Sequence, residues 1–277
     1  FFYTPTPPPP ILSGLVGSEM CIRDRASGKC KVVSRMGIGL DNIDVDYCTS
    51  QNIPVTNVPD YCLQEVAEHT LASVYSLGRH INTYNLNSKA GKYDREVTPP
   101  LRRLKGQTLG IIGLGNIGQR VAELANTLGF RVLGFRQDMT KTVPGVELVL
   151  FEDLISQSDF ITLHLPLTDI NHHMIGAEQF QNMKSTAYLV NTARGGLIDH
   201  TALATALKTG ELAGAALDVQ DPEPPDLNTA PYNDPRVIVT PHAAFVSVES
   251  LIELRRKSVK NALDILLHGQ SDQIVNF

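Results

Sequence analysis

The sequence predicts an α/β fold built on a doubly wound parallel sheet, and three observations carry that prediction. From residue 109 onward, short apolar runs alternate with segments of helical period. The links between them are short, as they are where helices cross over between parallel strands. The first run leads directly into Gly113-Leu114-Gly115-Asn116-Ile117-Gly118, a G-x-G-x-x-G turn that opens a helix.

Strands are expected at 109–112, 131–135, 160–164, 187–191, 215–219 and 237–240. Helices are expected over Ile117–Leu128, near Glu152–Ser156 and Ala177–Asn182, and over Thr201–Thr209, where Gly210 supplies a C-cap. Six such strands, with a glycine turn after the first, suggest the order 3-2-1-4-5-6. In the turn itself, Gly113 permits the tight bend and Gly115 lets backbone N–H groups approach a pyrophosphate. Gly118 lets the helix pack close to the strand, so that phosphates rest on the helix N-terminus.

At 277 residues the chain has room for two domains of ordinary size. Its 42% hydrophobic and 19% charged residues are those of a globular protein. A net charge of −5 and a pI near 5.9 leave no electrostatic footprint for nucleic acid. Cys21, Cys30, Cys48 and Cys62 show no metal-ligand spacing and read as free thiols of a reducing compartment. No run is long and apolar enough for a membrane span, so the cytoplasm is the expected location.

Residues 1–25 look foreign to the rest. Five of the 17 prolines fall within residues 5–10, and the opening lacks the basic start and compact apolar core of a signal peptide. Residues 15–25 read like one frame of a sequencing adaptor. The expectation is a non-native segment over 1–25, with a genuine proline-rich tail as the alternative.

Ligands of doubly wound sheets bind beyond the carboxyl ends of the strands, at the point where strand order reverses. Four ionisable residues fall there: Arg194 after the fourth expected strand, Asp218 at the end of the fifth with Glu223 beyond it, and His242 after the sixth. Each alone reads as an ordinary loop residue; together, at the ends of adjacent strands, they read as a site. Arginine's planar fork suits the carboxylate and carbonyl of a 2-keto acid. His242 would protonate the carbonyl oxygen as hydride arrives from a nicotinamide, with Glu223 orienting the imidazole. Asp218 is placed to accept from the nicotinamide carboxamide.

These residues and their flanking segments resemble the D-isomer-specific 2-hydroxyacid dehydrogenases. The resemblance covers essentially all of 26–277. It runs through Gly37–Asp44, Ile53–Pro59, Val66–Thr70, the glycine turn, His164–Thr168, Leu189–Gly196, Gly214–Val219 and Thr240–Ala244. Asn171-His172-His173 and Pro-His-Ala-Ala look like the C-terminal-binding-protein branch of that family. The resemblance implies a Rossmann-type cofactor domain over 76–249. It also implies a truncated α/β substrate domain made of 26–75 and 250–277, in which Lys31–Met36 is the recognisable strand. A helix over Glu65–Ser88 would cross between the two domains, and one near Ser250–Leu267 would return to the first.

The resemblance further implies Arg194, Glu223 and His242 as the catalytic trio. The cofactor would meet Gly113, Gly115, Asn116, Ile117, Gly118, Arg136, His164, Pro166, Thr192 and Asp218. The substrate carboxylate would meet Gly37, Ile38 and Gly39. The implied activity is reduction of a small 2-keto acid of the hydroxypyruvate or glyoxylate type by a homodimer. A nucleotide-sensing transcriptional co-repressor without turnover is the alternative. One departure bears on the cofactor. The family's acidic residue after the second strand is here Arg136, which can receive a 2′-phosphate with help from Lys141. NADP is therefore expected over NAD, unless Asp138 reaches the ribose.

Overall fold

The computed structural model describes residues 30–277 together with the short strand β1 (Gly14–Gly17). Cys21 and most of the segment expected to be foreign lie outside the described residues. Two compact units are present, one running through Tyr61 and resuming at Ser247–Phe277, the other spanning Cys62–Val246.

The first unit holds a three-stranded parallel sheet in the order β1, β2 (Val32–Arg35), β3 (Val55–Thr56). Alternation along β2 explains its two coverings. Val33 packs with Ile43, Cys48, Ile53 and Val55 on the side of α1 (Val45–Ser50), while Val32 packs with Ala262 and Ile265 of α8 (Val248–His268). Ser34 shares the α8 side with Val32, its hydroxyl donating to the Ser258 carbonyl at 2.7 Å.

The second unit holds a seven-stranded parallel sheet. Its strands are β4 (Thr108–Ile112), β5 (Arg131–Phe135), β6 (Glu147–Leu148), β7 (Phe160–Leu163), β8 (Tyr188–Asn191), β9 (Gly214–Leu217) and β10 (Val237–Val239). Their order is β10-β9-β8-β7-β4-β5-β6. Every residue of β4 is buried, because helices cover both faces of a parallel sheet. Leu109 and Ile111 face α2 (Leu63–Gly78) and α4 (Asn116–Thr127). Ile112 belongs to the opposite core, with α5 (Phe151–Gln157), α6 (Ala177–Asn182) and α7 (His200–Thr209). The fold is therefore doubly wound.

Three expectations need correction. The order 3-2-1-4-5-6 counted 160–164 as the third strand, but the third place is taken by β6, a two-residue strand beside β5. The strand Phe160–Leu163 instead flanks β4 on the other side, so strand order reverses between β4 and β7. The helix expected over Glu65–Ser88 is two helices, α2 and α3 (Ile81–Lys89), separated at Arg79 and His80, where His80 adopts φ +51°. Lastly, α2 packs on α4, β8 and β9, so the whole helix goes with the second unit rather than being divided at residue 75.

The glycine turn is built by close approach. A Cβ on Gly118 would lie 1.9 Å from the Gly113 carbonyl oxygen, and one on Gly113, whose φ is +99°, would lie 2.6 Å from that of His164. Backbone blocks both positions, so neither clash can be relieved by a side-chain rotation. Gly118→Ala is expected to lower stability by about 1–3 kcal/mol, as overpacking does. The denaturation midpoint reads this, and a wild-type midpoint would contradict the packing described.

Candidate active site

Five chain segments meet at the carboxyl ends of β4, β7, β8, β9 and β10. At β4 the turn delivers the N-terminus of α4, capped by Gly115 without any side-chain acceptor. The space where a Cβ of Gly115 would sit is empty to 4 Å. Backbone N–H groups are thus open to an anion in the positive end of a helix, and the donor set fits a dinucleotide pyrophosphate. Asn116 is exposed and Ile117 half-buried at the same helix start. Beyond β7, His164 has a buried Nε2 without a hydrogen-bond partner, and burial pushes its imidazole down to about 3. His164 is therefore neutral at physiological pH, with a polar nitrogen still to be satisfied. Pro166 beside it is exposed. Thr192 shares a 3.0 Å hydrogen bond with Thr70.

The turn after β8 is clamped by Asn191. Its side chain accepts from the Ala193 N–H at 3.0 Å and donates to the Arg194 carbonyl at 2.7 Å. The glycine after Arg194 then passes the β9 loop closely, since a Cβ on Gly195 would lie 2.1 Å from the backbone of Gln220. That approach explains why Thr-Ala-Arg must be followed by glycine, and it joins the Arg194 turn to the segment that carries Glu223. Arg194 itself is half-buried, with one guanidinium nitrogen donating to the Ala193 carbonyl at 2.7 Å.

His242 and Glu223 form a direct pair, Nδ1 to Oε2 at 3.0 Å. The second carboxylate oxygen of Glu223 accepts from the Gln220 N–H at 2.9 Å. Burial pushes the Glu223 carboxyl up, but the hydrogen bonds from His242 and Gln220 and the charges of His242 and Arg194 outweigh it. The net effect holds Glu223 below the usual carboxylate range. It is therefore ionised at neutral pH, and the stability its charge contributes is lost only as pH falls through the depressed value. With side chains 45% and 37% exposed, the pair contributes at most about 1 kcal/mol to folding. Its value lies in fixing the imidazole.

His242 also holds a left-handed backbone, φ +51°. Its N–H donates to the Asp218 carbonyl at 2.7 Å. The Asp218 carboxylate, 2% exposed, receives the N–H groups of Ala243 at 2.9 Å and Ala244 at 2.8 Å and the Thr240 hydroxyl at 2.5 Å. Both Asp218 oxygens face the 240–244 loop, where two successive amides at the end of β10 need acceptors. His69 of α2 completes this cluster, Nε2 lying 3.2 Å from the Thr240 hydroxyl. His69, Asn191, Gln220 and Thr240 were not singled out from sequence; only the recurrence of small residues around Arg194 and His242 signals such close packing.

After β5, Arg136 donates to the Lys141 carbonyl at 3.3 Å. Asp138, its rival for the ribose, is engaged within its own turn by the N–H and hydroxyl of Thr140 and by Lys141 at 3.3 Å. Gly37, Ile38 and Gly39 belong to the first unit. Their carbonyls accept from Val58 N–H at 3.0 Å, Asn57 Nδ2 at 2.8 Å and Arg35 Nε at 3.2 Å respectively.

Residues 71–244 match the family model described as D-isomer specific 2-hydroxyacid dehydrogenase, NAD binding domain. The chain belongs to that family. Within it, the chain is 42% identical over 253 residues to a D-3-phosphoglycerate dehydrogenase of Methanocaldococcus jannaschii, covering 90% of this chain and 48% of the relative. It is 38% identical over 247 residues to a glyoxylate reductase of Korarchaeum cryptofilum, covering 86% and 74%. The chain thus spans about half the length of the first relative and about three quarters of the second. The structure of a D-lactate dehydrogenase from Aquifex aeolicus, complexed with NAD and lactic acid, superposes with a TM-score of 0.84 at 29% identity, over 95% of this chain and 86% of the other. Neither the family match nor these relatives singles out the C-terminal-binding-protein branch.

Asp218→Asn would place an amide against one of the two backbone N–H groups it now accepts. The amides of Ala243 and Ala244 are expected to exchange about 10-fold faster or more, since a hydrogen bond to a charged group contributes about 1.5–3 kcal/mol. Unchanged hydrogen exchange there would contradict the role given to Asp218.

Proposed function

We propose that this chain reduces a small 2-keto acid of the glyoxylate or hydroxypyruvate type to its D-2-hydroxy acid, using a nicotinamide dinucleotide. The observation that carries the proposal is the 3.0 Å His242–Glu223 pair, with the Arg194 charge of the turn after β8 acting on it and in the same unit as the glycine cradle. The reduced nicotinamide, when bound, supplies the hydride for the carbonyl carbon. Arg194 holds the substrate carboxylate and polarises the carbonyl. Glu223 engages Nδ1 of His242, so that Nε2 delivers the proton to the carbonyl oxygen and recovers one in the oxidative direction. Among the relatives, a glyoxylate reductase and a lactate-bound dehydrogenase support a substrate of this size, and both are named for turnover rather than for repression. The co-repressor alternative is therefore not favoured.

The dinucleotide cradle comprises Gly113, Gly115, Asn116, Ile117 and Gly118, with His164 and Pro166 toward the adenine and Thr192 toward the nicotinamide half. Arg136 and Lys141 favour NADP, because the competing carboxylate of Asp138 is already engaged. Gly37–Gly39 are assigned to the substrate carboxylate. The active form is assigned as a homodimer, from the family resemblance, and its location as the cytoplasm, from the free thiols. Among the described residues no helix is long and apolar enough to cross a membrane.

His242→Asn is expected to lower kcat at least about 100-fold, the lower bound of general acid help, while dinucleotide binding stays within about twofold. Near wild-type turnover would remove His242 as the proton donor. For the cofactor, Arg136→Ser should weaken NADPH binding about 10-fold or more while leaving NADH binding unchanged, since a charge-assisted contact of about 1.5–3 kcal/mol is lost. Fluorescence titration reads both dissociation constants, and equal weakening of the two would contradict a 2′-phosphate contact.

A further inference from the structure

One cluster lies outside the machinery above. His172 and His173 follow β7 in the loop that begins at His164, and their rings stack with centroids 3.8 Å apart. Asp221 follows β9, next to Gln220. One ligand atom from each of the three side chains can be chosen such that all lie within 4.8 Å of one another, and all three residues are exposed. The Asp221 carboxylate also acts electrostatically on His200 and Tyr232.

Both segments are fixed by their backbones. The His173 N–H donates to the Gly196 carbonyl at 2.8 Å, and Ile175 donates to that of Leu197 at 3.1 Å. Asn171 holds the start of the loop, accepting from the Thr168 N–H at 2.7 Å and donating to the Pro166 carbonyl at 2.8 Å. On the other side, Gln220 is pinned by the close approach of Gly195 and by side-chain donation to the Leu217 and Thr240 carbonyls at 2.9 Å and 3.2 Å. His173 keeps φ +55° within this frame. The neighbouring His200 is already engaged by Tyr232 at 2.9 Å and by the Gly195 carbonyl at 3.2 Å, so it is not a fourth donor.

We propose that His172, His173 and Asp221 bind a divalent transition-metal ion, zinc in particular. Two imidazoles and one carboxylate make a donor set suited to zinc, with the remaining position open to water. The carboxylate argues against an anion in the same place, and the imidazoles argue against magnesium or calcium, which take oxygen donors. A bound ion would tie the loop after β7 to the segment that leads into Glu223.

The test is calorimetric titration of the full chain, free of any histidine tag, with zinc chloride and separately with magnesium chloride. The expected result is saturable binding of one zinc per chain and no magnesium binding. His172→Ala and His173→Asn, the latter keeping a residue that tolerates the left-handed backbone, should each weaken zinc by more than about 10-fold. Asp221→Asn should do the same from the other segment, and melting curves without metal confirm that each variant is folded. Cobalt in place of zinc should give the visible absorption of a low-coordinate nitrogen–oxygen site in the unaltered chain, independently of any variant. Absence of zinc binding, or binding that survives the two histidine substitutions together, would overturn the proposal.

Discussion

His242 keeps a left-handed backbone because the buried carboxylate of Asp218 collects the chain on either side of it. The Asp218 carbonyl takes the His242 N–H, while its two carboxylate oxygens take Thr240, Ala243 and Ala244. A non-glycine residue in that region costs about 1 kcal/mol or more, a cost borne where surrounding structure fixes the conformation. Charge-assisted hydrogen bonds in a dry setting are strong enough to fix it. The imidazole then meets Glu223, whose own position depends on the Gln220 N–H. The His242–Glu223 pair is thus the exposed end of a buried network.

The same principle of close backbone approach recurs twice. Gly118 lets α4 sit against the turn after β4, and Gly195 lets the Arg194 turn pass the Gln220 backbone. In both places the glycine is required by a neighbour's backbone rather than by flexibility. The parallel order β7-β8-β9-β10 sets the endings of β8, β9 and β10 side by side, so a guanidinium, a carboxylate and an imidazole arrive from separate loops. Rigid strands supply their positions and short loops supply their chemistry.

Much of this was legible in the sequence because buried parallel strands are continuous apolar runs. The segments 109–112 and 131–135 match β4 and β5 closely, and the glycine spacing locates the start of α4 to within a residue. Strand β6 was not legible, since two residues with an exposed Glu147 carry no periodic signal. Its omission shifted the expected strand order by one place. The break between α2 and α3 was equally hidden, because Arg79 and His80 are not helix breakers by composition. Arg194, Glu223 and His242 could be singled out because ionisable residues beyond apolar strands are conspicuous. The structure brings the Glu223–His242 pair into direct contact, with the Arg194 charge acting on it. Asp218 was conspicuous for the same reason, yet its surroundings, two successive backbone amides and a threonine hydroxyl, depend on register and could not be read.

The most direct measurement is the loss of nicotinamide absorbance when the chain is mixed with NADPH and a panel of 2-keto acids, each small enough for an arginine to hold by its carboxylate. Turnover is expected with one or more of glyoxylate, hydroxypyruvate and pyruvate, with formation of the D-enantiomer wherever the product is chiral. Dinucleotide bound to the chain, with no oxidation by any 2-keto acid, would contradict it.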